Sequence, residues 1–439
     1  MKNEGDLMKA IINAKTYDFN NYKEKVYILF DRLIKKIGPM SEFNTIEKEL
    51  LDKVIDASGA IVMPGLINGH THIYSSLSRG MNLPFNPKSF TEILEQLWWK
   101  LDGVLVKDDC YISAIVYGLE SIKCGVTTLI DHHASGGDIL GTLEKLQDGI
   151  CRDLGMRGIF CFETSDRFDV EKCLDENINF SKIKNNECSS LFGMHASMTL
   201  SNETLDKISE RKGKLPIHIH VAESMEDEVD SINKYKKTIV ERLEEYKLLT
   251  KNSLLAHCVH INEYEAKLLK AHNVYVALNP TSNMNNAVGL PDYNLLKTHG
   301  IPCIIGNDGL GANITREFLN LTYSMKNKYS DPGNFNFSDL LELINNGYEY
   351  VSNHLGIKIG KIEEGYVSDL IIVPYNSPTC ISDENIFAHI FFGVFDRFTP
   401  RDVICNGKLL MENDRPILPF EDIYEKSVLT SKKIWNILK

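Results

Sequence analysis

The ten cysteines include no Cys-x-x-Cys pair and are scattered along the 439 residues. That argues against a zinc ribbon or a dense disulfide framework, and for reduced thiols in a cytoplasmic setting. Positive charge is in deficit, with 48 Lys and Arg against 60 Asp and Glu and a formal net charge of -12. Nucleic acid is therefore not an expected partner, because phosphate binding works by Lys and Arg releasing counterions. No apolar run approaches the roughly 18–20 residues of a transmembrane helix, so no membrane partner is expected either. The first residues, MKNEGDLMKAIINAKTYDF, carry no apolar signal core and no small-residue cleavage site, and no secretory leader is expected. The glycine-rich stretch SGGDILG lacks the GK[ST] of a phosphate loop and reads as a turn into a helix. What remains is ordinary globular composition, 43% hydrophobic and 25% charged.

Eight apolar stretches, at 60–72, 126–133, 157–164, 190–197, 215–224, 253–261, 274–280 and 301–309, alternate with helix-period segments. The segment at 108–125 closes on a glycine placed to stop a helix, and that at 224–249 opens with a serine followed by acidic residues. Eight strand–helix units in about 250 residues predict an α/β fold, a (β/α)8 TIM-type barrel, over 65–358. Residues 1–64 and 359–439 read as short alternating strands with turn residues, plus a C-terminal helix. They predict a small β-sandwich domain formed from both chain ends, with 335–357 as a helical link.

In such a barrel the C-terminal ends of the strands line the active site. Strand 1 ends in His70 and His72, strand 4 in His195, strand 5 in His218, His220 and Glu223, strand 6 in His257 and strand 8 in Asp308. His70 and His72 are two residues apart and share a strand face. Three histidines and a carboxylate, with a position left for water, form a catalytic-type site for one divalent ion, zinc or iron. Such an ion lowers the pKa of water from about 15.7 towards roughly 7. A neighbouring carboxylate and imidazole can then move protons.

The stretches PGLINGHTH, HVAE, AHCVH, NPTSN and GNDG together resemble the amidohydrolase superfamily. The branch is that of cytosine- and guanine-deaminase-like and triazine-hydrolase-like enzymes. HTHIYSSLSRGMNLP, WWKLD and TTLIDHHAS are similar to the SsnA-type aminohydrolases within it. The resemblance implies His70, His72, His220 and Asp308 as metal ligands, with Asp308 also accepting the proton of the attacking water. It implies Glu223 as proton shuttle to a ring nitrogen, His257 as the residue orienting water, and His195 as a substrate contact. It implies Asn283 as a conformation-setting residue at the substrate site. It further implies a homodimer and a small heterocyclic amine as substrate, deaminated by hydrolysis of a C–N bond. Ring opening or dechlorination on the same scaffold, or a metal-binding scaffold without catalysis, are the alternatives. The strand-4 stretch SLFGMHAS holds no lysine that could bridge two ions, which favours one metal.

Three residues are left open. His132 and His133 alternate faces, so one of them at most points inward, with His133 the substrate-facing candidate. Arg79 either binds an anionic part of the substrate or anchors a loop.

Overall fold

The eight apolar stretches become strands, each parallel to its neighbours. The computed structural model describes residues 8–43, 51–418 and 422–439. The parts of the expected terminal β domain at 1–7, 44–50 and 419–421 lie outside the described residues. A four-stranded parallel sheet runs Leu66–Thr71, Val126–His133, Arg157–Phe162, Cys188–Ser190. A five-stranded one runs Phe192–Ala196, Ile217–Val221, Leu254–His257, Tyr275–Leu278, Cys303–Ile305. Every residue of Val126–His133 and Arg157–Phe162 is buried, as expected of parallel strands covered on both faces.

The expected strand at 190–197 is split, with Cys188–Ser190 in one sheet and Phe192–Ala196 in the other. Two single parallel bridges, Thr164 to Met194 and Thr71 to Asp308, join the edges of the two sheets. Both seams depend on a missing side chain. A Cβ on Gly193 would stand 2.2 Å from the Phe162 carbonyl oxygen, and one on Gly306 would stand 2.7 Å from the His70 backbone nitrogen. Real Cβ atoms do not approach so closely, so only glycine lets the backbones meet there. At the second seam the Asn307 and Asp308 amides both donate to the His70 carbonyl, at 3.1 and 3.0 Å.

The helices follow their caps. The helix Lys107–Lys123 stops before Gly125, which has φ 69°. Ser224 caps the helix Met225–Tyr235 by accepting from the Asp227 amide. The segment 224–249 is not one helix as its period suggested. Lys236 is left-handed, and Thr238 with Glu241 forms a capping box that starts a second helix, Ile239–Glu245. The expected link is the helix Phe337–Leu355, and the chain ends in the helix Ile423–Leu438.

Strands of both chain ends pair in one continuous mixed sheet of nine strands among the described residues. The antiparallel pairing of Ile61–Pro64 with Leu370–Val373 links the N-terminal strands to the C-terminal ones. Along Tyr22–Phe30 the side chains alternate. Val26, Ile28 and Phe30 enter one apolar core, while Tyr27 and Leu29 enter another on the opposite face. The buried Arg157, at the start of strand 3, ties the parallel sheets to the mixed sheet through Asp369 and Asn406.

Candidate active site

The strand period decides what Leu66–Thr71 offers. Thr71 turns outward, its hydroxyl 2.6 Å from Tyr117 Oη and donating to the Asp308 carbonyl. His70 and His72 turn the other way, towards the strand ends. With His220 and Asp308 they place four candidate ligand atoms, one per residue, within 4.8 Å of one another.

Each imidazole is held through its far nitrogen. His72 Nδ1 donates to the His132 carbonyl at 2.6 Å, and His220 Nδ1 to the His195 carbonyl at 2.9 Å. His70 Nδ1 lies 2.9 Å from His218 Nε2, and His218 Nδ1 in turn faces Cys161 Sγ at 3.5 Å. An imidazole that donates from Nδ1 presents an unprotonated Nε2, the form that binds a metal. His70 is completely buried, yet its Nε2 makes no hydrogen bond. A bare acceptor in that position fits a cation.

Asp308 completes the group, its Oδ1 2.9 Å from His72 Nε2 and 3.4 Å from His70 Nε2. Its Oδ2 accepts from the Ser282 hydroxyl at 2.5 Å. Burial opposes its ionisation, but the adjacent imidazoles of His70 and His72 prevail and hold its carboxyl well below the usual range. Burial likewise disfavours the charged form of His72, and the bond to Asp308 overrides it, pushing the imidazole up to about 9. Burial pulls His70 down to about 4. The His72–Asp308 pair thus keeps a proton that a bound cation would displace.

Beside this group stand Glu223 and His257, Glu223 Oε2 lying 3.4 Å from His257 Nε2. With Asp308 they form a second group of three within 4.8 Å. Burial raises the Glu223 carboxyl. His257 Nδ1 donates to Asn283 Oδ1 at 2.7 Å, and Asn286 Nδ2 donates to Glu223 Oε1 at 3.3 Å. The strand ends here are strained: Ala222, His257, Cys258 and Asp308 have φ of 47°, 72°, 50° and 56°. Such left-handed non-glycine residues cluster at working sites. Two amides settle the turn, Cys258 donating to the Val221 carbonyl and Val259 to that of Ala222.

An inner cavity of about 60 Å³ is lined by His72, His220, Glu223 and Asp308, together with His195, Tyr74, Trp98, Trp99, Asp102 and Glu163. It adjoins an open groove of about 910 Å³ that shares Phe90, Trp98, Asn286 and Asp308 with it. His195 therefore reaches the cavity, with its Nδ1 held by Thr199 Oγ1 at 2.7 Å.

Of the other expected substrate contacts, His133 and Asn283 do not line the inner cavity, and Arg79 lines the outer groove. His133 is fully buried against Tyr74 and Phe162, with Nε2 3.3 Å from Cys110 Sγ, because its strand position faces the surrounding helices. His132, on the other face, packs among the histidines and donates from Nε2 to the Met194 carbonyl. Asn283 touches His257 and does not line the cavity, as its place beneath that imidazole requires. Arg79 lines the outer groove, its guanidinium bidentate on Glu120 at 2.7 and 2.9 Å. His260 also lies along the groove, donating to the Val288 carbonyl.

Other residues of the site escaped the sequence reading. Ser282 and Asn286 stand one turn apart in and just after the helix Pro280–Asn285, and they reach the Asp308 and Glu223 carboxylates respectively. Trp98, Trp99 and Asp102 come from the stretch WWKLD, noticed only for its resemblance. There the helical turn widens at Leu94–Trp98, bringing the indoles to the cavity. Glu163 and Arg167, in ETSDR, gave no signal beyond their charge.

Comparison with known proteins agrees with this geometry. The 5'-deoxyadenosine deaminase of Methanocaldococcus jannaschii is 29% identical over 443 aligned residues, covering 96% of this chain and 98% of that protein. The 5-methylthioadenosine/S-adenosylhomocysteine deaminase of Syntrophomonas wolfei is 30% identical over 432, covering 94% and 96%. Among solved structures, an adenosine deaminase from Xanthomonas campestris with bound zinc superposes with a TM-score of 0.84 at 17% identity, covering 98% of each chain. The amidohydrolase family matches residues 61–410, with the grip of His70, His72, His220 and Asp308 inside that span, and the chain belongs to this family.

Proposed function

We propose that the protein is a zinc-dependent aminohydrolase that replaces an amino group on a small nitrogen heterocycle by oxygen. The observation that carries this reading is the pairing of two groups at the strand ends. One is the histidine–aspartate quartet, and the other is Glu223 with His257, sharing Asp308 with it. His70, His72, His220 and Asp308 would hold one divalent ion, which would supply Lewis-acid chemistry and a water acidic enough to lose its proton near neutrality.

The chain's own residues do the rest. Asp308, ionised and steadied by Ser282, accepts the proton of the attacking water. Glu223, whose carboxyl is raised by burial, gives a proton to the ring nitrogen beside the attacked carbon. His257 Nε2, aimed by Asn283 and free of any hydrogen bond, orients the water. Hydroxide adds to the ring carbon, Asp308 passes the proton it accepted to the amino nitrogen, and the C–N bond breaks to release ammonia as the hydroxyl proton returns to Glu223, leaving the oxo product. His195 contacts the ring within the cavity.

In this reading the eight strands form one ring closed at the Gly193 and Gly306 seams, and the nine-stranded sheet folds over as the small β-sandwich. The free cysteines support a cytoplasmic setting. The family resemblance supports a homodimer, which light scattering tests. The names of the curated relatives make adenosine derivatives the first substrates to try. Zinc-loaded protein is incubated with 5'-deoxyadenosine, 5-methylthioadenosine, S-adenosylhomocysteine, purines and pyrimidines, and the products are read by mass spectrometry. Exchange of an amino group for oxygen, with ammonia released, is expected. Net addition of water would replace this reading by ring opening, and no change with zinc bound would overturn it.

A further inference from the structure

A second ionic cluster lines the inner cavity and has no part in the proton transfers above. Arg167 sets its two terminal nitrogens on Asp102, at 3.0 and 2.9 Å, and one of them also on Glu163 Oε1 at 2.5 Å. The guanidinium is held between the rings of Trp99 and Phe168, at 5.1 and 4.7 Å from their centres. Asp102 and Glu163 are both almost fully buried, at 2% and 3% side-chain exposure.

Two carboxylates share one guanidinium. Burial pushes the Asp102 carboxyl up, whereas at Glu163 the Arg167 charge overcomes burial and holds the carboxyl down. Glu163 is therefore the carboxylate that pairs with the Arg167 charge. Its Oε2 has no hydrogen-bond partner among the described residues, although Glu163 forms part of the cavity wall. An acceptor oxygen on the cavity wall is placed to take a hydrogen bond from a donor that enters the cavity.

We propose that Glu163 is the substrate-selecting acceptor of this enzyme, its free carboxylate oxygen taking a hydrogen bond from an N–H or O–H that an adenine-type substrate carries away from its leaving amino group. The inference rests on the aminohydrolase reading. The donor has two sources, a ring N–H of the free base or a hydroxyl of an attached sugar. Asp102 and Arg167 act through Glu163 as positioning residues, fixing the carboxylate so that it meets the donor without reorganising.

Calorimetric binding to zinc-loaded protein tests this with three probes. Adenine has a ring N–H at position 9, 9-methyladenine has no donor there, and 5'-deoxyadenosine has sugar hydroxyls in its place. One charge-assisted hydrogen bond predicts that wild type binds adenine or 5'-deoxyadenosine roughly 10- to 100-fold more tightly than 9-methyladenine. The tighter of the two names the source of the donor. In Glu163→Gln, which keeps the shape and a partner for Arg167, the preference should fall to about threefold or less. Glu163→Asp keeps the charge and should retain part of it. Zinc content and melting temperature check that the variants fold, and the wild-type comparison needs no variant at all. Equal binding of the three probes by wild type overturns the proposal, as does a preference that survives in Glu163→Gln or no binding of any probe at millimolar concentration. Selective binding without ammonia release would instead fail the aminohydrolase reading and leave Glu163 as the selecting acceptor.

Discussion

His218→Phe isolates the one histidine of the proposed grip whose aim depends on a side chain. His72 and His220 are held by main-chain carbonyls, which no substitution at positions 132 or 195 removes. His70 leans instead on His218 Nε2, at 2.9 Å in a completely buried pair. Phenylalanine fills a similar volume but accepts nothing, so the His70 Nδ1 donor is left unpaired away from water. The orphaned donor costs about 1–3 kcal/mol. Loss of such a supporting partner weakens metal binding by roughly 10- to 100-fold, which is about 1.4–2.8 kcal/mol at 1.4 kcal/mol per tenfold. The two figures agree, because the penalty falls on the geometry that presents His70 Nε2 to the ion. Competition with a chromophoric zinc chelator measures the affinity directly, and the melting temperature of metal-free protein separates a general loss of stability from a loss of grip. Zinc affinity within about twofold of wild type in a folded variant would refute the reasoning, since such partners ordinarily matter by tenfold or more.

Other outcomes follow from the same geometry. Glu223→Gln should keep zinc and lose roughly 10²- to 10⁴-fold in kcat, and a retained rate would move the proton shuttle elsewhere. Asp308→Ala should abolish turnover and weaken zinc binding, which inductively coupled plasma analysis and a rate assay read together. Burial pushes the Asp131 carboxyl up to about 7, so the folded protein holds a proton that the unfolded chain releases near the ordinary aspartate value of 3.8. The native state binds more protons over that window, and stability falls as pH rises from about 4 to about 7. Asp131→Asn should therefore gain in melting temperature relative to wild type between about pH 5 and pH 8, and a constant difference would contradict the assignment. Chelation of a metal present at a hundredfold over its dissociation constant should remove about 2.7 kcal/mol of stability, seen as a melting temperature lower by several degrees and restored by zinc.

How much of this was legible in the sequence differs from residue to residue. The strands were readable because parallel strands covered on both faces are nearly continuous apolar runs, and the polar interruptions at their ends stood out. Hence His70, His72, His220, Glu223, His257 and Asp308 were found and meet in space. The split at Leu191 was not readable, since it depends on how closely Gly193 approaches the Phe162 backbone across the seam. The break in the 224–249 helix was written in Thr238 and Glu241, but the apolar period masked it. His218 shares its strand face with His220, and only the fold shows that its partner is His70. Asp102, Glu163 and Arg167 come from separated segments, and charge alone does not say that three such residues converge on one cavity. Arg79 illustrates the converse, a cation beside the motif that the fold gives to Glu120.

The carbonyls of His132 and His195 that hold His72 and His220 belong to the path of the chain. Their donors keep their aim whatever side chains occupy the cavity wall, so inherited changes at Trp98, Trp99, Asp102 or Glu163 leave those two ligands in place. Such a design separates what the enzyme does from what it does it to. A lineage can drift from one heterocycle to another by changing wall residues singly, each intermediate retaining a working centre. The seam glycines admit no such drift, because any side chain at Gly306 displaces the very backbone from which His70 projects.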